Sequence, residues 1–265
     1  MRYVNIFLLI FQHVTNFRSR IFIWFLTSFL NPLSLLIFWI AVFREKGDVL
    51  AGWSLSSLST YYFLIIIAAA FIIVHIEEDV AIHDIREGDL IKYLLRPFSY
   101  YWMKFFDEIP WRIIQGFFGF MAFIIFYLLF SKFILLPHTL VGITTTFLIV
   151  LLAFFISFTF KMIIGLTAFW FIDFWGLQQI IEVVIIVLAG LIMPIEFFPH
   201  WLKNISLISP FPYMIYYPIL SFQSKLIDSQ VIQTVLIQIF WLAILYLIYR
   251  FLWSRGLKKF TGVGQ

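Results

Sequence analysis

Six apolar runs of about twenty residues limit the fold more than any other feature of the sequence. A helix of about twenty residues crosses the roughly 30 Å hydrocarbon core of a bilayer. Of the 265 residues, 63% are hydrophobic and only 12% are charged, which is well outside the range of soluble domains. We therefore predict an all-α integral membrane protein with six transmembrane helices, at Ile21–Phe43, Ser59–Ile76, Ile113–Phe130, Thr139–Phe160, Leu177–Ile195 and Val231–Tyr249.

Two of these boundaries depend on neighbouring residues. The fourth run could extend beyond Lys161, because residues 162–174 are also largely apolar. Residues 1–20 alternate apolar and polar side chains and predict an interfacial helix, with a frayed hydrophobic tail as the alternative. The first run is too long for a signal-peptide core, so we expect it to remain as an anchor.

The distribution of basic residues predicts the orientation. An even number of spans puts both ends of the chain on the same side of the membrane. If that side is the cytoplasm, 13 of the 18 Lys and Arg residues lie in cytoplasmic segments, as the positive-inside rule requires. The sequence pI of about 9.2 then reflects basic anchors beside the spans, and we infer no nucleic-acid partner from it. With no cysteine, the chain has no disulfide or thiolate chemistry.

The most polar stretch runs from His75 to Arg112 and holds eight of the fourteen acidic residues. We assign residues 77–112 to a cytoplasmic region between the second and third spans. Gly88 interrupts the helical pattern there, and a short helix follows, for which Asp89 is the predicted N-cap and Pro97 the stop signal.

This short helix, predicted from Leu90 to Arg96, is amphipathic. Lys92 and Arg96 share one face, and the other face carries Leu90, Ile91, Leu94 and Leu95. A helix of this kind suits either a membrane surface or a partner protein.

The external segment 196–230 is rich in aromatic residues and contains four prolines, which exclude a continuous spanning helix. A surface loop would expose a large apolar patch. We therefore predict a re-entrant hairpin that enters the membrane and returns on the same side.

Candidate catalytic or metal-binding residues are few. His75, Asp79 and His83 recur every four residues, so a helix would bring them to one face, where they could ligate zinc; a solvated helix face is the alternative. The sequence has no HExxH, GxSxG or GxxxxGK[ST] motif, so any nucleotide that drives the protein must bind another subunit. Glu182 lies inside the fifth predicted span and is a functional candidate, unless it reaches the cytoplasmic edge or pairs with Lys161.

Four stretches, in order and in register, resemble the ABC-2 type permeases, specifically the six-span membrane subunits of their drug-export-like branch. The first is Asp84-Ile85-Arg86-Glu87-Gly88-Asp89-Leu90, which is continued by Leu94-Leu95-Arg96-Pro97-Phe98-Ser99-Tyr100. The others are Ala168-Phe169-Trp170, the run from Gly190 to Leu202, and the tail from Gly256 to Gly264. Gln265 departs from the pattern, where a second glycine is expected. The resemblance covers nearly the whole chain, as a single permease domain, 1–265.

The resemblance implies a function and a set of site residues. Such permeases pair with a second permease, identical or related, and with two cytoplasmic ATP-binding subunits that hold ATP and Mg²⁺, so no cofactor is expected in this chain. The implied ATPase-coupling residues are Arg86, Gly88, Asp89, Lys92, Leu95, Arg96 and Pro97. The implied pathway and external gate comprise Glu182, Gly190, Pro194, Phe198 and Pro199. The family also implies a bacterial cytoplasmic membrane.

Two other functions remain open at this point. A membrane-embedded enzyme would use a metal on His75, Asp79 and His83, and a membrane scaffold would recruit a partner without moving a substrate. The spans lack a dense polar lining, which favours an amphipathic or lipophilic substrate over a small ion.

Overall fold

The computed structural model describes residues 18–47, 49–131, 140–171 and 173–260. Within these ranges the chain is almost entirely helical, which confirms the all-α membrane fold. The α-helices are α1 Arg18–Lys46, α2 Leu55–Ile72, α3 Ile76–Glu78, α4 Leu90–Leu94, α5 Tyr100–Phe130, α6 Leu140–Leu166, α7 Phe174–Leu188, α8 His200–Ile208, α9 Tyr216–Phe222 and α10 Asp228–Gly256.

Shorter elements connect these helices. Strands β1 (Val49–Leu50) and β2 (Trp53–Ser54) form an antiparallel hairpin before α2. A π-helix, Asp79–Arg86, follows α3, and 3₁₀ turns occur at Thr167–Phe169, Ile195–Phe197 and Phe211–Tyr213. The predicted interfacial helix at 1–20 lies outside the described residues, except for residues 18–20, which belong to α1.

The predicted number of spans is only partly supported. In the ranges that the structure describes, four helical stretches are long and apolar enough to cross a membrane, at Leu55–Arg86, Tyr100–Leu129, Gly142–Phe169 and Asp228–Gly256. A fifth would be the pair His200–Ile208 and Phe211–Phe222, which is bent by 67° and is either a broken span or a re-entrant loop. Helix α1, 29 residues long, coincides with the first predicted span.

The fifth predicted span, Leu177–Ile195, is wrong in its bounds. The helix there is α7, which has 15 residues and ends at Leu188. Gly190 follows in the left-handed region, at φ +82°, where glycine avoids the steric cost that other residues incur. The chain turns before Pro194, so the last residues of the predicted span belong to the turn and not to the helix.

Two other predicted spans are parts of helices that are longer than predicted. The helix of the fourth span continues past Lys161 to Leu166 and then through a 3₁₀ turn to Phe169, beyond the predicted end at Phe160. The third span begins at Tyr100 and not at Ile113, because Pro110 is accommodated inside the helix. Residues 100–112, which we assigned to the region between the second and third spans, are therefore the first part of one long helix.

The helices pack as two groups around a common core. Helix α10 packs along α6, while α5 and α1 pack on α2. Several polar side chains between the spans hydrogen-bond to backbone groups of other elements, since lipid supplies no partner. Gln238 Nε2 of α10, for example, donates to the carbonyl oxygens of Ile149 and Tyr213, at 3.0 and 2.9 Å.

Helix α2 ends inside the protein, and a buried arginine satisfies its end. The last carbonyl groups of a helix lack intrahelical partners. Arg112 of α5 donates from Nη1 to the carbonyl oxygens of Ala70, at 3.2 Å, and Ile73. Its Nε lies 2.8 Å from Glu108 Oε1, and both side chains are buried. This pair joins α5 to the point where α2 gives way to the polar linker.

We expect two replacements of Arg112 to destabilise the protein to different extents. Arg112→Lys keeps a charge beside Glu108 but cannot reach both carbonyl groups, which should cost about 1–3 kcal/mol. Arg112→Met also leaves Glu108 unpaired and should cost about 3–5 kcal/mol. The unfolding midpoint in detergent checks both, with the exposed Arg250→Met as the control. An unchanged midpoint for Arg112→Lys would contradict the capping role.

Candidate functional site

The linker between α2 and α5 is the candidate site, and its first part is a π-helix. Glu87 N donates to Ile82 O at 2.9 Å, five residues back, and Asp89 N donates to His83 O at 3.2 Å. π-Helical segments are rare and are often found at functional sites. Gly88 follows at φ +86°, a left-handed conformation that lets the chain turn sharply into α4. The predicted break at Gly88 is confirmed.

The short helix differs from the prediction in length and in its start. It covers Leu90–Leu94 and stops before Arg96. Asp89 makes no capping hydrogen bond, because its backbone is helical (φ −64°, ψ −13°) and an N-cap requires an extended conformation. Its carboxylate instead lies 2.6 Å from Lys92 Nζ, and both side chains are substantially exposed.

The apolar face of this helix is mostly exposed. Of its four leucine and isoleucine side chains, only Leu90 is fully buried. Leu95 is 80% exposed, and Ile91, Leu94 and Phe98 are 39%, 45% and 41% exposed. We call these four residues, together with the exposed Arg96 and Pro97, the linker tip.

A cavity of about 310 Å³ opens beside the linker tip. Its wall combines two acidic, two basic and three largely apolar side chains, namely Asp89, Lys92, Tyr93, Arg96, Met103, Phe106 and Asp107. Burial raises the pKa of Tyr93 above its ordinary value, so this phenol stays protonated at physiological pH. The linker tip and this cavity form one continuous surface with apolar and charged groups.

The base of the linker, in contrast, is held by buried ion pairs. Lys104 Nζ of α5 lies 2.6 Å from Asp84 Oδ2 on the π-helix, and both side chains are almost fully buried. Tyr100 donates its hydroxyl to the same Oδ2 at 2.5 Å. Lys104 Nζ also lies 4.9 Å from the centre of the Tyr93 ring, a cation–π distance that ties in α4.

A second buried pair joins the linker to α6 and α7. Lys161 Nζ of α6 lies 2.5 Å from Glu77 Oε1, and Glu77 is completely buried. Glu182 of α7 lies 3.9 Å from Lys161 Nζ, which supports the pairing considered for it. Gln178 Nε2 lies within 3.4 Å of both carboxylates.

The π-helix also approaches α6 very closely. A Cβ atom on Gly165 would lie 2.7 Å from Val80 and 3.0 Å from Glu77 O, so only glycine fits there. Arg86 Nη2 donates to Phe171 O at 3.2 Å, just past α6. Arg86, an implied coupling residue, is therefore bound within this chain, whereas Leu95 and Arg96 are exposed.

The proposed metal residues are not brought together. His83 Nδ1 hydrogen-bonds Glu87 Oε2 at 2.8 Å and points away from a shared site. In the described chain, His75 instead groups with Glu77 and Glu182, whose possible ligand atoms lie within 4.8 Å of one another. The Lys161 ammonium already binds that pair of carboxylates, and its positive charge opposes a metal ion there.

The implied gate residues are split between two places. Gly190 accepts a hydrogen bond at its carbonyl oxygen from Tyr61, at 2.7 Å, and Pro194 and Pro199 immediately precede the 3₁₀ turn Ile195–Phe197 and α8. Phe198, between those two elements, is half-buried. Glu182 lies eight residues before Gly190, about 12 Å along the helix axis, and contacts the linker and not the gate.

Sequence reasoning missed the residues that hold the linker. Glu77, Asp84, Lys104, Glu108 and Arg112 are buried and paired, although they were counted as parts of a cytoplasmic region. One of these pairs could have been predicted, because Glu108 and Arg112 are four residues apart and could pair on a helix. The other pairs join residues far apart in sequence, which no local pattern reveals.

We expect Lys161→Met to destabilise the linker by leaving Glu77 buried without a counter-charge. The loss should be about 3–5 kcal/mol, whereas Glu77→Gln with Lys161→Met should lose less, because no charge stays buried. Thermal unfolding in detergent measures both, and limited proteolysis of residues 76–98 reports on the linker. Lys203→Met, at a half-buried lysine, is the control. Equal losses in the single and double variants would contradict the pairing.

Comparison with known proteins identifies the family. A family model described as ABC-2 family transporter protein matches residues 29–264, which is nearly the whole chain and includes the linker and the gate turn. No curated protein and no solved structure matches the chain. The family is a membrane component of ABC transport, and it implies association with an ABC ATP-binding subunit. The chain belongs to the ABC-2 family of transporter membrane proteins.

Proposed function

We propose that this chain is the permease subunit of an ATP-driven exporter and that the linker tip docks on a separate ATPase subunit, which holds the ATP and Mg²⁺. One observation carries this proposal. The linker tip exposes apolar side chains beside the basic Arg96, while the base of the same linker is fixed by buried ion pairs. Exposed apolar patches with a polar rim are typical of protein–protein contact sites.

The chemistry of the tip favours a protein partner over the membrane surface. An interfacial helix buries one continuous apolar face in lipid and keeps its charges on the other. Here Leu90, from the same face, is buried in the protein, and Asp89 and Asp107 lie around the adjoining cavity. The acidic and basic side chains around this cavity balance, so it offers anionic lipid no net attraction, whereas a folded partner can supply an apolar anchor for Leu95 and an acidic group for Arg96.

The buried ion pairs would transmit a displacement of the linker tip to the membrane-spanning helices. Asp84 binds Lys104 of α5, and Glu77 binds Lys161 of α6, so the π-helix cannot shift without moving both spans or breaking a pair. Breaking a buried pair is costly, because it leaves a charge without a partner. Closure of the ATPase would therefore move α5 and α6 together with the linker.

We propose six crossings, with α7 as a shortened fifth. Gln178 near the start of α7 contacts Glu77, and Gly190 just past its end contacts Tyr61 near the start of α2. Helix α7 thus has its two ends close to the two ends of α2. The segment after it returns to the same end of the molecule, since Ser206 of α8 donates to Leu188 O and Gln223 donates to Ser57 O. This favours a re-entrant hairpin, with both termini cytoplasmic in a bacterial cytoplasmic membrane.

The apolar character of the helix faces supports an amphipathic or lipophilic substrate moved out of the cytoplasm. A cleft of about 80 Å³ lies between α2, α6 and α9, and apart from Thr146 its wall is apolar, formed by residues that include Leu64, Ala68, Phe71, Val150 and Phe222. Such a cleft suits an alkyl or aryl group of a cargo that enters from the bilayer. A second permease, identical or related, would complete the pathway.

We expect the double variant Leu95→Asp with Arg96→Glu to abolish capture of an ABC ATP-binding subunit while the permease stays folded. Both side chains are exposed, so stability should change by less than about 0.5 kcal/mol, whereas an apolar and a charged contact to the partner are lost. The tagged protein is purified from its native membrane, and co-purified subunits are identified by mass spectrometry.

Arg44→Glu, an exposed charge reversal at the end of α1, serves as the control and should retain the subunit. Capture by wild type, with equal capture by the double variant, would place the docking surface elsewhere. If wild type captures no ATPase, or captures it without ATP-dependent movement of any substrate, the chain acts as a membrane scaffold and the transport proposal fails.

A further inference from the structure

A lysine ammonium occupies an aromatic face at the end of α2 opposite the linker. Lys225 Nζ lies 3.1 Å from the ring centre of Trp53, which is buried on β2. Within the described residues no carboxylate lies within 4.0 Å of this ammonium, so its contact is with the ring and not with a salt-bridge partner. The lysine side chain itself is half-buried.

The ring belongs to a cluster of aromatic side chains. Tyr61 packs edge-on against Trp53 with ring centres 5.3 Å apart, and Tyr216 packs against Tyr61 at 6.3 Å. Tyr216 donates its hydroxyl to Glu196 Oε1. The other carboxylate oxygen, Glu196 Oε2, is buried and has no hydrogen-bond partner. An aromatic face that already holds an ammonium, with a carboxylate nearby, is a combination with which proteins bind organic cations.

Lys225 is a poor occupant of this cluster. Burial lowers the pKa of Lys225 to about 8, although the negative charge of Glu196 acts in the opposite direction. A primary ammonium is compact and strongly hydrated, so it loses much hydration energy on an aromatic face. A quaternary ammonium is more weakly hydrated and is the cation for which aromatic cages are best suited.

We propose that Trp53, Tyr61, Tyr216 and Glu196 form a binding site for an organic cation, and that Lys225 is a displaceable resident of that site. Lys225 can leave without unfolding a helix, because it lies in the short connection between α9 and α10. Ser224 before it has φ +54°, a strained conformation for a residue other than glycine, which a change of the connection would relieve.

The position of the site connects it with the proposed transport function. Tyr61 contacts both Trp53 and the carbonyl oxygen of Gly190 in the gate turn. A cation on Trp53 would therefore lie beside that turn, at the end of the molecule that export would open. The claim that the bound cation is the transported cargo rests on the proposed function, but the binding itself does not.

Choline and its uncharged isostere 3,3-dimethyl-1-butanol are suitable probes, because they share size and shape and differ in charge. Binding to the purified full chain, without ATPase or nucleotide, is measured by titration calorimetry at pH 7. Lys225→Ala removes the resident ammonium, and Lys225→Arg keeps a positive charge that can stack on the ring. We expect choline to bind Lys225→Ala roughly tenfold more tightly than wild type, and Lys225→Arg no more tightly than wild type.

A substitution of Trp53, the ring that contacts the ammonium, provides the second comparison. In the Lys225→Ala background, Trp53→Phe should weaken choline binding and leave the binding of the isostere unchanged, since the smaller ring has a weaker π face. Trp53→Phe keeps an aromatic ring, so the hairpin should stay folded, and the unfolding midpoint verifies this. Equal affinity of Lys225→Ala for choline and the isostere, or no gain over wild type, overturns the proposal.

The pH dependence separates displacement of Lys225 from other effects. As pH rises through about 8, Lys225 loses its charge and ceases to compete, so the affinity of wild type for choline should increase between pH 7 and 9. Lys225→Ala and Lys225→Arg should show no such rise. Glu196 is the group whose charge acts on Lys225, and it is retained in both variants together with Tyr61 and Tyr216. A rise that persists in Lys225→Ala would contradict the role of Lys225.

The choline-binding experiment and the ATPase-capture experiment test separate proposals, so either proposal can fail while the other holds. A chain that recruits no ATPase can still bind choline, which would leave a cation-binding membrane protein without transport. A chain that recruits the ATPase but binds choline no better in Lys225→Ala would keep the permease function and lose the cation site.

Discussion

Charges buried where the second helix ends are the constraint on which the rest of the structure depends. A charge in the low-dielectric interior is tolerated only with a partner, and backbone groups left by a helix end need donors. Arg112 meets both needs at once, because it pairs with Glu108 and donates to two carbonyl groups of α2. Lys104 and Lys161 meet the first need for Asp84 and Glu77. These ion pairs and hydrogen bonds join three spans to one linker, and breaking any of them has a high free-energy cost.

The sequence predicted the parts of the fold that depend on local composition. Apolar runs located the long helices, and Gly88 marked a turn that has a left-handed backbone conformation, whereas the turn at Gly190 was predicted to be part of a span. Helix ends were less predictable, since Pro110 lies inside α5 and Lys161 lies inside α6, where it is paired with Glu77, which only the folded chain brings near. The pairing of Glu77 with a lysine 84 residues away has no local signature in the sequence.

At the linker tip, too, the local sequence pattern predicted only part of the structure. Its amphipathic pattern was correct, but the pattern could not tell which face would be covered. The covered residue is Leu90, whereas Leu95, one residue past the end of α4, is exposed. The exposure of Leu95 leaves this side chain accessible to the partner that we propose.

Helix α2 connects the two surfaces for which we propose partners. Its start carries Tyr61, which contacts the cation site and the gate turn, and its end is held by Arg112 at the linker. Because most of the helix is buried against α5, α6 and α1, it can shift only as a rigid rod and not by bending. A displacement at the linker would thus reach Tyr61, loosen its bond to Gly190 and change the space beside Trp53. Coupling between the ATPase and the cation site then requires no signal other than the movement of this one helix.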